Sequence, residues 1–295
     1  MFLMISRAGD DCLYTVKALL YSALLLLFQL GTAVAKAEPL PQTLVFGVVP
    51  QQAASTLAKV WGPLLAEVSQ NAKLDLRFAT APDIPTFEAR LAKGEYDIAY
   101  MNPHHYVQFN QAQGYQALVK ETDKMLKGII VVPITTSDKD LEALKGQTLA
   151  FPAPGAFAAS MIPRANLKQR NIDFTPVYVG SHDSVYMAVS NGLFAAGGGV
   201  GRTFNNLPAA VKSKLRILWT TPAYTPHAIA VHPRVSASTR VALQGELVAL
   251  FDSEQGQQLL SNLGFNALEP ANDNDWDNVR TLNLGAKSIR LQEAR

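Results

Sequence analysis

Thr43-Leu44-Val45-Phe46-Gly47-Val48-Val49-Pro50-Gln51-Gln52, residues 43–52, reads as the end of one element and the start of another. A short run of β-branched and large apolar residues closed by proline has the pattern of a buried strand. Residues 51–67 then place Leu57, Val60, Trp61, Leu64 and Leu65 at helical spacing. Pro63 falls inside that stretch and is expected to kink or interrupt it. The same alternation runs outward along the chain. Strand patterns occupy residues 74–79, 97–101, 116–120 and 128–132, with helical patterns at 84–93 and 104–113. It restarts with a short helix at 141–144, strands at 148–151 and 176–179, and helices at 158–169 and 182–191. Strands near 194–197, 215–219 and 228–231 follow, then two helices over 235–263 with a break near Asp252-Ser253. Strand–helix alternation in two similar halves predicts an α/β protein of two lobes. Each lobe is expected to be a mostly parallel sheet flanked by helices, with ligand at the carboxyl ends of the strands.

Composition excludes several classes. The 295 residues carry 26 basic and 24 acidic side chains, a net +2 with no run of one sign, so no nucleic-acid surface or acidic tail is present. A single cysteine, Cys12, excludes a disulfide framework and a cysteine-based zinc site. Lys17 precedes an uncharged stretch, residues 18–35, whose strongly apolar centre is about a dozen residues, shorter than the roughly 20 that span a bilayer. It ends in Ala33-Val34-Ala35 and Ala35-Lys36-Ala37. A positive flank, a short apolar region and a small-residue end predict a cleavable export signal over residues 1–37 and a periplasmic destination.

Four loops follow a strand and open a helix: Pro50-Gln51-Gln52-Ala53-Ala54, Met101-Asn102-Pro103-His104-His105-Tyr106, residues 152–160 (PAPGAFAAS), and Gly180-Ser181-His182-Asp183. Free N–H groups at a helix start, aided by the helix dipole, form an anion site. Ser181 is an N-cap in any reading. Enzyme signatures are missing: there is no G-x-S-x-G elbow, P-loop, dinucleotide fingerprint or nucleophilic cysteine. Ser181-His182-Asp183 are adjacent and cannot form a catalytic relay. Gly197-Gly198-Gly199-Val200-Gly201 lacks the Lys-Ser/Thr of a phosphate loop, and is expected to be a flexible bend or a place of close backbone approach near the cleft.

Five stretches in order resemble the phosphonate/phosphite-type solute-binding proteins of ABC transporters. They are Phe46-Gly47-Val48-Val49-Pro50-Gln51-Gln52; Gly94-Glu95-Tyr96-Asp97-Ile98-Ala99-Tyr100 with Asn102-Pro103; Leu144-Lys145-Gly146-Gln147 before Thr148-Leu149-Ala150-Phe151; Gly180-Ser181-His182-Asp183; and Pro226-His227-Ala228-Ile229-Ala230-Val231-His232-Pro233. The resemblance covers residues 43–265 and implies a type II two-lobed periplasmic binding fold that holds an oxyanion between helix N-termini and side chains of both lobes. Laid over the four loops, it implies a ligand-binding set of Gln51, Gln52, Tyr100, Asn102, His104, Ala156, Phe157, Ala158, Ser160, Ser181, His182 and Asp183, with no catalytic residue, metal or cofactor. The implied partners are a small anion such as phosphonate, phosphite or phosphate, and an ABC permease. A membrane sensor histidine kinase is the alternative reader of the closed state. Two departures stand out. A Ser-Thr-Ser-Gly-like loop of the family is replaced by Ala156-Phe157-Ala158-Ala159, and a Gly-x-x-Asp-Ala acid by Gly192-Leu193-Phe194-Ala195-Ala196. The loss of that acid argues against a ligand bearing an ammonium group.

The expected division is 38–132 plus 221–285 for the first lobe and 133–220 for the second, with 286–295 a frayed tail. The five histidines offer a further alternative, a metal-binding protein. No H-x-x-x-H or H-E-x-x-H spacing supports it, and adjacent His104 and His105 diverge by about 100° at a helix start. Donation to an oxyanion suits His182 and one of His104/His105. For His227 and His232, flanked by Pro226 and Pro233, capping or surface packing is expected.

Overall fold

The computed structural model describes residues 43–137 and 139–282. The export signal and the tail expected from the sequence lie outside the described residues. The strands are β1 (Thr43–Val48), β2 (Asp75–Ala79), β3 (Ile98–Met101), β4 (Gln116–Glu121), β5 (Gly128–Pro133), β6 (Thr148–Phe151), β7 (Thr175–Tyr178), β8 (Ala196–Val200), β9 (Leu215–Thr220), β10 (Ala228–Val231) and β11 (Leu268–Pro270). The α-helices are α1 (Ala54–Ala72), α2 (Ile84–Ala92), α3 (Pro103–Gln113), α4 (Ile162–Gln169), α5 (His182–Ser190), α6 (Gly201–Asn205), α7 (Ala209–Lys212), α8 (Ala237–Ala249), α9 (Glu254–Asn262) and α10 (Asp277–Arg280).

Two sheets result, in the orders β11-β4-β10-β3-β1-β2 and β7-β6-β8-β5-β9. Both are mixed rather than mostly parallel. β1 runs parallel to β2 and β3, but β10 enters antiparallel to β3 and β4. Likewise β6 is parallel to β7 and β8, while β5 is antiparallel to β8 and β9. β10 and β5 are each the first strand after the chain crosses from the other sheet, and β11 also pairs antiparallel with β4.

β5 corrects the expected lobe boundary. The sequence pattern puts residues 128–132 in the first lobe as its last strand, yet β5 pairs inside the second sheet. Its side chains alternate between two cores. Ile130 and Val132 join Leu149 and Phe151 on one face, while Ile129 and Val131 join Ala150, Val185 and Tyr186 on the other. Such a strand needs a sheet covered on both faces. The chain therefore crosses between sheets at residues 122–127 and returns at 221–227. The two crossing segments pair with each other: Leu126 N–H donates to Tyr224 C=O (2.7 Å) and Tyr224 N–H to Leu126 C=O (2.9 Å).

Two helices also depart from expectation. α1 runs through Pro63 without interruption, because Pro63 and Lys59, whose carbonyl loses its partner, both face solvent. The expected helix at 158–169 begins instead as a π-turn, Phe157–Met161, where the N–H groups of Ser160 (2.7 Å) and Met161 (3.1 Å) both reach the Ala156 carbonyl. Its cause lies beneath it. The Ala158 and Ala159 carbonyls lean onto the sheet over Gly128 and Gly198, where a methyl group would overlap them. The glycine run is thus the regular strand β8, displaced from the expected 194–197, and not a flexible bend; the expected close backbone approach does occur there.

Candidate functional site

Strand ends of both sheets converge on a small cavity, about 10 Å³, room for roughly one water molecule. Val49, Gln51, Ile84 and Asn102 line it from the first lobe, and His227 from the returning segment. Ala156, Phe157, Ala158, Ala159, His182 and Val200 line it from the second. No Lys, Arg, Asp or Glu is among the lining residues.

The first-lobe side is built from side chains. Asn102 caps α3, its Oδ1 accepting from the His105 N–H (2.8 Å), while Nδ2 donates across the cleft to the Gly155 carbonyl (3.1 Å). His105 is fully buried, with Nε2 at 2.9 Å from Glu88 Oε1. The Gln51 carbonyl accepts from the His182 N–H (3.0 Å), and its amide nitrogen lies 2.9 Å from His227 Nε2. The His227 ring stacks on Tyr100 at 4.9 Å and 17°. Burial, and next the Arg202 charge, hold its pKa well below the ordinary histidine value. This corrects the expectation of capping or surface packing for His227. The proline beside it made the local pattern look like a turn, but the ring is packed inside. His232, by contrast, is partly exposed and accepts the Arg234 N–H (3.3 Å).

The second-lobe side is built mostly from backbone. Phe157, Ala158 and Ala159 open the helix that continues into α4, so their N–H groups have no partner within it. His182, at the first position of α5, is 1% exposed. Its Nδ1 lies 3.0 Å from Thr203 Oγ1, and burial lowers its pKa to about 4, so the ring is neutral. Ser160 is fully buried, and its hydroxyl has no hydrogen-bond partner.

The other expected residues lie around the cavity rather than on it. Ser181 caps α5, accepting the Ser184 N–H (3.1 Å). Asp183 accepts from the Gln52 side chain and the Ala53 N–H, so a second-lobe carboxylate occupies the start of α1 that was expected to meet an anion; burial nonetheless raises its pKa. Tyr100 accepts from Arg202 (2.7 Å), which reaches over from α6 and also pairs with Glu121. His104 does not line the cavity. It is half-buried, its pKa lowered to about 4 by burial and then by His105. Ala159, Val49, Ile84 and Val200 were not anticipated. They are apolar residues at strand or helix ends, with no chemical signal of their own. Among the described residues no three His, Cys, Asp or Glu converge as metal ligands.

Residues 46–276 match the family model of the ABC transporter, phosphonate, periplasmic substrate-binding protein. The chain belongs to this family. That family is one of periplasmic substrate-binding proteins, and neither the metal-binding reading nor the sensor-kinase reading is favoured. The chain is 24% identical over 180 residues to the phosphate-import protein PhnD of Mycolicibacterium smegmatis, covering 55% of this chain and 56% of that protein, so it spans little more than half of that relative's length. The binding-protein component of an ABC phosphonate transporter from Pseudomonas aeruginosa superposes with a TM-score of 0.76 at 14% identity, covering 82% of this chain and 86% of that one. PhnD1 from Prochlorococcus marinus, solved with methylphosphonate, gives 0.76 at 19% identity, covering 84% and 98%. The fold is therefore the type II two-lobed one expected from the sequence. Within it, Ser181, His182 and Asp183 point to three different partners, Ser184, Thr203 and Gln52.

Proposed function

We propose that the cleft captures a small phosphonate-class oxyanion, such as methylphosphonate or phosphite, and presents it to an ABC permease after residues 1–37 are removed on export. The observation that carries this reading is the opening turn of the π-turn and α4. It offers three N–H groups with no partner within the helix, at the helix's positive end, on residues that line the same cavity as His182 and Gln51. The hydroxyls that the family's loop would supply are absent, and the wall is Ala156, Phe157, Ala158, Val49, Ile84 and Val200. An apolar substituent on phosphorus, a hydrogen or a methyl group, suits that wall. A fourth oxygen there would be buried without a donor, at a cost of about 1–3 kcal/mol. A carboxylate for an ammonium group is likewise not among the lining residues, so aminoalkyl phosphonates are disfavoured.

Entry requires the lobes to part, with the paired crossing segments at Leu126 and Tyr224 as the hinge. A thermal-shift series on the exported chain tests the reading. Methylphosphonate and phosphite at 100 times their dissociation constants add about 2.7 kcal/mol of stability, and phosphate at equal concentration adds less. A larger shift with phosphate, or no shift with any of the three, would refute it.

A further inference from the structure

A neutral imidazole has one donor and one acceptor, and which of them meets an oxyanion decides whether it attracts or repels. His182 lines the cavity, and its Nδ1 is held at 3.0 Å by Oγ1 of Thr203, a residue outside the lining, which leaves Nε2 as the ring nitrogen open to a ligand. Thr203 is 2% exposed, and its hydroxyl lies 2.9 Å from the hydroxyl of fully buried Tyr186. Tyr186 accepts the Val200 N–H (3.1 Å), and burial keeps its own proton on by raising its pKa. The Val200 carbonyl lies 3.1 Å from both hydroxyls. Gly199 gives the Tyr186 hydroxyl its place, since a methyl group there would overlap it.

Two directions of donation satisfy this chain. In one, His182 Nδ1–H donates to Thr203, whose hydroxyl donates to Val200, and a bare Nε2 lone pair is left on the cavity side. In the other, Tyr186 donates to Thr203, Thr203 donates to Nδ1, and the ring proton sits on Nε2. Only the second offers a donor to an anion.

We propose that Thr203, supplied by Tyr186, is a positioning residue that sets His182 as the Nε2–H tautomer when an oxyanion occupies the cleft. This rests on the reading of the cleft as an oxyanion site. The two hydroxyls relay the choice without a charge, and Gly199 in the glycine run of β8 admits that of Tyr186.

The test uses methylphosphonate as probe on the exported chain, its Thr203→Val and Thr203→Ser variants, and Tyr186→Phe. Long-range proton–nitrogen correlation spectra report the His182 tautomer, and calorimetry the affinity. With methylphosphonate bound, the wild type carries its proton on Nε2. Thr203→Val loses about tenfold in affinity, Thr203→Ser restores it to within about threefold, and Tyr186→Phe, which keeps Thr203, falls between. If Thr203→Val does not fold, Thr203→Ser and Tyr186→Phe still decide through the tautomer. A proton on Nδ1 in the bound wild type, or wild-type affinity in Thr203→Val, overturns the assignment of Thr203 while leaving the cleft intact. Failure of the wild type to bind methylphosphonate or phosphite at all overturns the reading of the cleft, and the assignment with it.

Discussion

The two sides of the cleft solve the same problem with different parts. The first-lobe side uses Gln51, Asn102 and His227, each positioned by a side-chain contact: Asn102 by its cap on α3, His227 by stacking on Tyr100. The second-lobe side uses main-chain N–H groups of residues 157–159, positioned by what lies under them, the glycines of β5 and β8. The difference teaches why, on the proposed reading of the cleft, hydroxyls can vanish from the second side without removing the anion site. A donor carried by the backbone survives any side-chain exchange that keeps the turn, whereas the first side cannot change residue without losing a donor.

If the second side is fixed from beneath, the largest effect comes from Gly198, a residue whose contact is with the π-turn and not with the ligand. Gly198→Ala drives a methyl group into the Ala159 carbonyl and the Phe151 ring. Backbone cannot step aside as a side-chain tip can, so the cost reaches about 3 kcal/mol. That lowers the melting midpoint by about 6–12 °C and weakens methylphosphonate more than tenfold by displacing the donors. Calorimetric melting with a titration of the surviving fold checks both. A variant that melts normally and binds normally would mean the π-turn does not depend on its seat.

How much of this was legible in the sequence follows the same division. β1, β3 and β10 announce themselves as β-branched and apolar runs, and the Asn102-Pro103 pair as a cap and first turn, because their causes are local. β8 does so only at its start, near residues 194–197, since glycine is a poor strand former and only the crowding of Val185, Ala159 and Tyr186 explains the glycines that carry it on to Val200. β5 follows the first lobe's strands in sequence yet joins the second sheet, because adjacency along the chain says nothing about which sheet a crossing strand will join. The sequence pattern gives His227 a capping or surface-packing role, because its burial is decided by Tyr100, which is distant in sequence.

Acid should act on both sides together, because His182 on one and His227 on the other are each buried and neutral. Their pKa values are depressed on folding, while in the unfolded chain histidine takes its proton near pH 6.5. The unfolded chain therefore binds more protons as the pH falls, so stability is intact above about pH 6.5 and declines below it. His182, with its pKa at about 4, loses about 3 kcal/mol across that window, and His227 adds to the decline. Denaturant unfolding at a series of pH values should show His182→Asn flattening the slope by about 1.4 kcal/mol per pH unit. An unchanged slope would mean the ring is solvated in solution and that only the first side carries a buried histidine.

The smallest effect concerns Ala156, the position that caps the π-turn without any side-chain hydrogen bond. Its backbone is already extended, φ −70° and ψ 96°, as an N-cap requires. Ala156→Ser supplies the oxygen that the family's loop would carry. As a cap, that oxygen accepts an N–H of the following turn and adds about 1 kcal/mol of stability, about 2–4 °C in melting midpoint. The same N–H groups are those offered to the anion, so the hydroxyl competes for one of them while presenting its own proton in exchange. The two effects nearly cancel, and affinity for methylphosphonate should hold or rise by no more than about threefold. A tenfold loss of affinity in a stabilised variant would reverse the reading of the second side. The wall formed by Ala156 and Phe157 would then hold the ligand through its apolar substituent, and the backbone donors would serve only to close the turn.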